Sequence, residues 1–92
     1  MTELVTSTFE PLVGDTFTAT PSYAGEPLEL VLSGCHESPH ARPDHPAFSL
    51  TFKSSDPTPR EQQIFALEHA ELGGFDLFLV PLAPTTYEAV IN

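Results

Sequence analysis

The chain's patterning predicts an all-β fold, a small antiparallel barrel or sandwich of six strands with little helix. Three observations carry that expectation. Apolar and polar residues alternate with a period of two in short blocks, clusters of Pro, Gly, Ser and Asp separate the blocks, and no segment carries a long apolar stripe at helical spacing. With 92 residues and a hydrophobic content of 40%, the chain suffices for one autonomous core and not for two.

The first strand is expected over Val13–Thr20, with Val13, Phe17 and Ala19 set against Asp15, Thr16 and Thr18 and a bend or bulge at Gly14. Glu26–Ser33 follows, with Leu28, Leu30 and Leu32 on a core face and Glu29, Val31 and Ser33 on a solvent face, and with Pro27 at the strand's edge. Ala47–Lys53 opposes Phe48, Leu50 and Phe52 to Ser49, Thr51 and Lys53. Gln62–His69 opposes Phe65 and Leu67 to Ala66 and Glu68. Phe75–Pro81 is apolar on both faces apart from Asp76, the pattern of a strand covered on both sides or packed against another chain. Tyr87–Ile91 closes the set, with Tyr87, Ala89 and Ile91 opposed to Glu88 and Val90. Gly73–Gly74 reads as a hairpin turn that uses a positive φ. Pro59–Leu67 is compatible with a helical turn at its start, and Met1–Thr8 with strand, short helix or disorder. An antiparallel meander closed into a barrel accounts for six strands joined by short connectors and removes exposed edges.

The formal net charge is −10, from thirteen acids against the three bases Arg42, Lys53 and Arg60. Such a surface repels nucleic-acid phosphates and anionic lipid head groups, so neither a nucleic acid nor a membrane is expected as partner. Charging all four histidines leaves the sum at −6, since −10 plus 4 is −6, and the sign of the field survives mild acid. No apolar run approaches the roughly 20 residues that span a bilayer, and the amino terminus lacks a basic segment followed by an apolar one. A cytoplasmic protein without signal peptide is the expectation. The single cysteine, Cys35, makes no internal disulfide and suits a reducing compartment.

One long connection, Gly34–Pro46 (GCHESPHARPDHP), concentrates Cys35, His36, His40, Asp44 and His45. Imidazole, thiol and carboxylate together suit a transition metal such as zinc, nickel or copper. The spacing matches no zinc ribbon or finger, and the competing reading is a solvated loop in which Cys35 ends the second strand as a small hydrophobe. Ser54–Arg60 is a second polar connector. His69, at the end of the fourth strand, reads as an anchor for the following turn in preference to a cleft residue.

Catalytic patterns are weak. Cys35 and His36 are neighbours, but consecutive residues of an extended chain face opposite ways and do not form a nucleophile–base pair. Carboxylate pairs among Glu29, Glu68, Glu71 and Asp76 are expected by chance in so acidic a chain. The reading that follows is a non-enzymatic interaction or assembly module that holds a protein partner or a second copy of itself through Phe75, Leu77, Phe78 and Val80. The alternative is a small-molecule- or metal-binding barrel whose mouth carries the His-rich loop. An acidic mimic that occupies a basic surface is a third.

The segments FEPLVGDTF, PAFSLTF, ALEHAELGGFDLFLVPL and the terminal YEAVIN, in that order, resemble a small uncharacterised bacterial β-domain family, often encoded beside phage tail-collar-like proteins. The resemblance spans almost the whole chain and is most specific from Phe65 to Asn92. It implies a compact β domain accessory to a tail- or fibre-like protein, and it assigns no catalytic residue. The segment from Cys35 to Asp44 lies outside the resemblance.

Overall fold

A computed structural model describes residues 6–23, 25–39, 41–42, 44, 47–58 and 60–91. Six antiparallel strands close into a barrel: β1 (Thr16–Pro21), β2 (Leu28–Glu37), β3 (Phe48–Lys53), β4 (Gln63–His69), β5 (Gly73–Ala83) and β6 (Thr86–Ile91). Burial alternates along them as the sequence pattern requires. Phe17, Ala19, Leu28, Leu30, Leu32, Leu50, Phe52, Phe65, Leu67, Leu79, Tyr87 and Ala89 all point inward and are buried, and together they form one core cluster. Closure leaves every strand a neighbour on both sides, so the small barrel has no open sheet edge.

The order around the ring is β1-β2-β3-β6-β5-β4. The simple meander expected from short connectors would instead pair β3 with β4. Here β3 pairs with β6, and β4 returns to pair with β1, so β4-β1-β2-β3 forms a Greek key. Both topologies bury the same side chains, because alternation along a strand is blind to which strand lies alongside. The connector from Ser54 to Gln62 is long enough to cross the barrel end, and its start is tied there by the Ser54 N–H donating to the Thr85 carbonyl at 2.9 Å.

Other differences from the expected elements have local causes. Val13 is 46% exposed and lies in the turn before β1, because the chain enters the barrel through a helical turn α1 (Thr6–Phe9) and a 3-10 turn, Glu10–Leu12. Gly14 takes φ 99° in that turn. Phe9 is fully buried and packs on Phe48 and Phe75 at ring separations of 6.0 and 5.8 Å, closing this end of the core. The expected loop Gly34–Pro46 starts later than its composition suggests, since β2 continues through Glu37. A register shift between Leu32 and Gly34 absorbs Ser33, and the bulge reverses the phase of alternation beyond it.

Between β4 and β5 the turn is Ala70–Leu72. Gly73 follows it with φ 79°, the left-handed backbone that a tight hairpin imposes and that glycine adopts without steric cost. Gly74 is ordinary strand, so of the expected Gly-Gly turn only Gly73 takes the positive φ, and the turn itself lies just before the pair.

Candidate functional site

The outer surface of β4, β5 and β6 carries four of the large apolar side chains exposed among the described residues, Ile64, Phe78, Leu82 and Val90. Ile64 and Phe78 are direct cross-strand partners, and they are 48% and 50% exposed. Side chains opposite each other on antiparallel strands touch, so this pair is one continuous apolar surface and not two isolated residues. Val80 lies two residues along β5 on the same face, opposite Glu88 of β6. Two residues beyond Glu88, Val90 is also largely exposed, as is Leu82 near the end of β5. Leu82 sits in the register shift between Pro81 and Ala83, where a bulge re-aims its side chain. Exposed carboxylates at Glu68 and Asp76 flank the pair on β4 and β5.

The four residues expected to make an interface therefore divide. Leu77 is in the core and Phe75 packs against it, with the Phe75 ring 6.2 Å from Phe17, whereas Phe78 and Val80 belong to the outer face. The period-two pleat separates them: a strand apolar on both sides sends alternate residues to the core and to the surface. β5 is thus covered on one face only. Ile64, the partner of Phe78, was not singled out by sequence, because a lone apolar residue on a polar face has no signal until its neighbour strand is known.

Of the expected metal ligands, Cys35, His36 and Asp44 lie among the described residues. Cys35 packs against the core, and burial, followed by the charge of Glu10, pushes its thiol above the ordinary range. His36, the next residue, is exposed on the outside of β2 opposite Ser49. Asp44 is exposed, and His40 and His45 lie outside the described residues. Among the described residues no three His, Cys, Asp or Glu side chains gather closely enough to hold a metal ion.

The barrel end away from Phe9 holds a polar cluster unmarked by any motif. Ser54 is buried, and its hydroxyl accepts from the Asp56 N–H at 3.0 Å. Asp56 in turn accepts from the Thr58 N–H at 2.9 Å. Those Thr58 hydrogen bonds, and secondarily the Arg60 charge, hold the Asp56 carboxyl below its ordinary range. Arg60 reaches across to donate from Nη1 to the Glu26 carbonyl at 2.8 Å and from Nη2 to Asp56 Oδ2 at 3.4 Å. Gly25 makes room for this. Its φ is 118°, and a Cβ there would lie 2.9 Å from Arg60 Nη1.

Fold and surface together define a small closed β-barrel domain with an apolar patch on the outer face of β4, β5 and β6, and among the described residues no helix is long and apolar enough to cross a membrane. The chain belongs to a family described as a domain of unknown function, DUF6916, whose model matches residues 4–91. No curated protein and no solved structure matches the chain.

Proposed function

We propose that this domain is a non-enzymatic protein-interaction module whose contact face is the outer surface of β4, β5 and β6, centred on Ile64 and Phe78. The carrying observation is the cross-strand pair itself, two large apolar side chains in direct register and each about half exposed. Clustered apolar groups of this kind, rimmed by polar ones, mark contact surfaces. The partner's chemistry follows from the rim. Glu68, Asp76 and Glu88 surround the patch on a chain of net charge −10, so the favoured partner brings an apolar surface edged with Lys or Arg. A second copy of the domain would set acid against acid, which favours a different protein over self-association. The gene neighbourhood implied by the sequence resemblance makes a tail- or fibre-like assembly protein the first partner to try.

A photo-crosslinking residue at position 78 in producing cells identifies the partner. Titration calorimetry of the purified pair then compares the native domain with the Ile64→Ser, Phe78→Ser double variant. A loss of binding by roughly 30-fold or more, as for truncated central anchors, and weaker binding at higher salt are expected. Unchanged affinity in the folded double variant would falsify this face as the contact surface.

A further inference from the structure

Each strand of the closed ring has a neighbour on both sides, but β5 and β6 are joined over only part of their lengths. Their pairing runs from Val80↔Glu88 to Ala83↔Thr86. β5 continues back to Gly73, and over residues 73–79 its ladder is with β4. β6 continues on to Ile91, and over residues 89–91 its ladder is with β3. Between these two stretches runs a seam without a ladder. Phe75 and Ile91, which face the core on its two sides, are only partly buried.

Which backbone groups face this seam follows from the neighbouring ladders. In an antiparallel pair, alternate residues exchange hydrogen bonds with one neighbour and the residues between them turn to the other side. Pro81 has no N–H to exchange, so the hydrogen-bonded pair at the joined end is Val80↔Glu88. Steps of two back along β5 turn Phe78, Asp76 and Gly74 to that same side. β4 gives the same answer from the opposite direction. The Ser22 N–H donates to the Ile64 carbonyl, so Ile64 turns its backbone toward the β1 side, and Phe65 and Leu67 turn theirs to Leu77 and Phe75 of β5. The N–H and C=O groups of Gly74, Asp76 and Phe78 therefore line the seam. All three residues are exposed, and Gly74 has no side chain, so its exposure is that of its backbone.

A row of strand groups without a ladder is a template for another strand. The side chains beside it say which kind. Phe78 and Asp76 stand two residues apart on the outer face, so an added strand sets its own outward side chains against an aromatic ring and a carboxylate. A second copy is disfavoured, because two β5 strands paired antiparallel over residues 74–78 place Asp76 opposite Asp76. We propose that the domain's partner adds an extended strand antiparallel to β5, hydrogen-bonded to the backbone of Gly74, Asp76 and Phe78, with an apolar side chain opposite Phe78 and a Lys or Arg opposite Asp76. Strand addition rests on the contact face assigned above to Ile64 and Phe78, and it gives that face main-chain bonds and a register.

The probe is the peptide acetyl-Thr-Val-Thr-Lys-Thr-amide, whose Val and Lys share one face. In the free domain, hydrogen exchange followed by NMR is expected to be faster by about tenfold or more at the Gly74, Asp76 and Phe78 amides than at Phe75 and Leu77, whose amides point to β4. The peptide is expected to bind saturably, with a dissociation constant on the order of millimolar, and to slow exchange at the first three amides. Methylating its Val and Lys backbone nitrogens, which face β5, weakens binding by about tenfold or more. Methylating its Thr nitrogens, which face away, leaves binding in place. Four results overturn strand addition: equal protection of all five amides in the free domain, no saturation, equal affinity of the two methylated peptides, or protection that grows with protein concentration, which puts a second copy in the seam. None of these measurements uses the Ile64→Ser, Phe78→Ser variant, so strand addition can fail while the contact face stands.

Discussion

His69 and Asp15, 54 positions apart, meet at 2.9 Å between the imidazole Nε2 and the carboxylate Oδ2. On the other side of the ring, Nδ1 accepts from the Glu71 N–H at 3.0 Å and from the Leu72 N–H at 3.4 Å. A nitrogen that accepts two amide protons carries none itself, so the neutral ring is the Nε2–H tautomer and donates to Asp15. Asp15 is held in place by its own N–H, which donates to the Leu12 carbonyl at 2.9 Å, and by its carbonyl, which accepts from the Leu32 N–H at 3.1 Å. With the Phe17 ring 4.8 Å away, the His69 side chain ties the β4–β5 turn to the entrance of β1, and the Asp15 backbone carries the link on to β2.

Removing that side chain therefore costs the turn as well as the pair. His69→Ala is expected to lower stability by about 2–3 kcal/mol, the scale of a buried hydrogen-bonded group. His69→Asn, whose amide oxygen can take the place of Nδ1, is expected to recover part of the loss, and urea denaturation of the three proteins checks the order.

Adjacent residues of β5 should respond in opposite ways. Leu79 is fully buried and Phe78 half exposed, so Leu79→Ala is expected to destabilise by about 2–5 kcal/mol and Phe78→Ser by roughly 1 kcal/mol or less. Partner binding should show the reverse sensitivity, being lost in the Phe78 variant.

The two glycines that open β5 also part company. Gly73→Ala places a Cβ in a left-handed backbone, φ 79°, and is expected to cost about 1 kcal/mol or more. At Gly74 a Cβ would lie 3.8 Å from the Leu67 carbonyl oxygen, an ordinary contact, and thermal melts should show a change within about 0.5 kcal/mol.

Thr58→Ala removes the leading cause of the depressed Asp56 titration, so the carboxyl should titrate at higher pH in a carbon-detected NMR series. A depressed carboxyl contributes stability that is present above the ordinary aspartate range and is lost as pH falls through the folded value. The variant moves that loss to higher pH. Because Asp56 is solvated, the local titration is the readout, and the global melting temperature should barely move.

Alkali tests Tyr87. Burial raises its phenol above the ordinary value, opposed by Arg60 and assisted by Asp56. A raised acid contributes stability that is fully present below the unfolded value and is lost as pH rises through the folded one, so urea midpoints should fall above about pH 10. Cys35, raised likewise by burial, begins its own fall at lower pH. Phe at position 87 and Ala at position 35 together should flatten the alkaline limb.

Much of the barrel wall was legible beforehand. The inward Leu28, Leu30, Leu32, Phe48, Leu50, Phe52, Phe65 and Leu67 follow from alternation, and the turn-anchoring role of His69 follows from its place at a strand end. The Cys35 segment misled because loop-forming composition begins at Gly34, while β3 continues to pair with β2 as far as Glu37. Only that neighbour strand shows the bulge at Ser33. Arg60 and Tyr87 carried no signal at all, since an arginine beside prolines is ordinary until a distant tyrosine is found in the same cleft.

The amino-acid sequence by itself determined the β character, the number of strands, the inner face of each and the acidic field, because each is a local property of consecutive residues or a plain sum of charges. The tertiary structure alone decided that β3 lies beside β6, that Ile64 meets Phe78, that Asp15 accepts a hydrogen bond from His69 Nε2–H and that Arg60 and Tyr87 border one cleft. Those relationships join residues far apart in the chain. The pleat dictates which way a side chain faces, but barrel closure and the crossing of the Ser54–Gln62 connector select its neighbour.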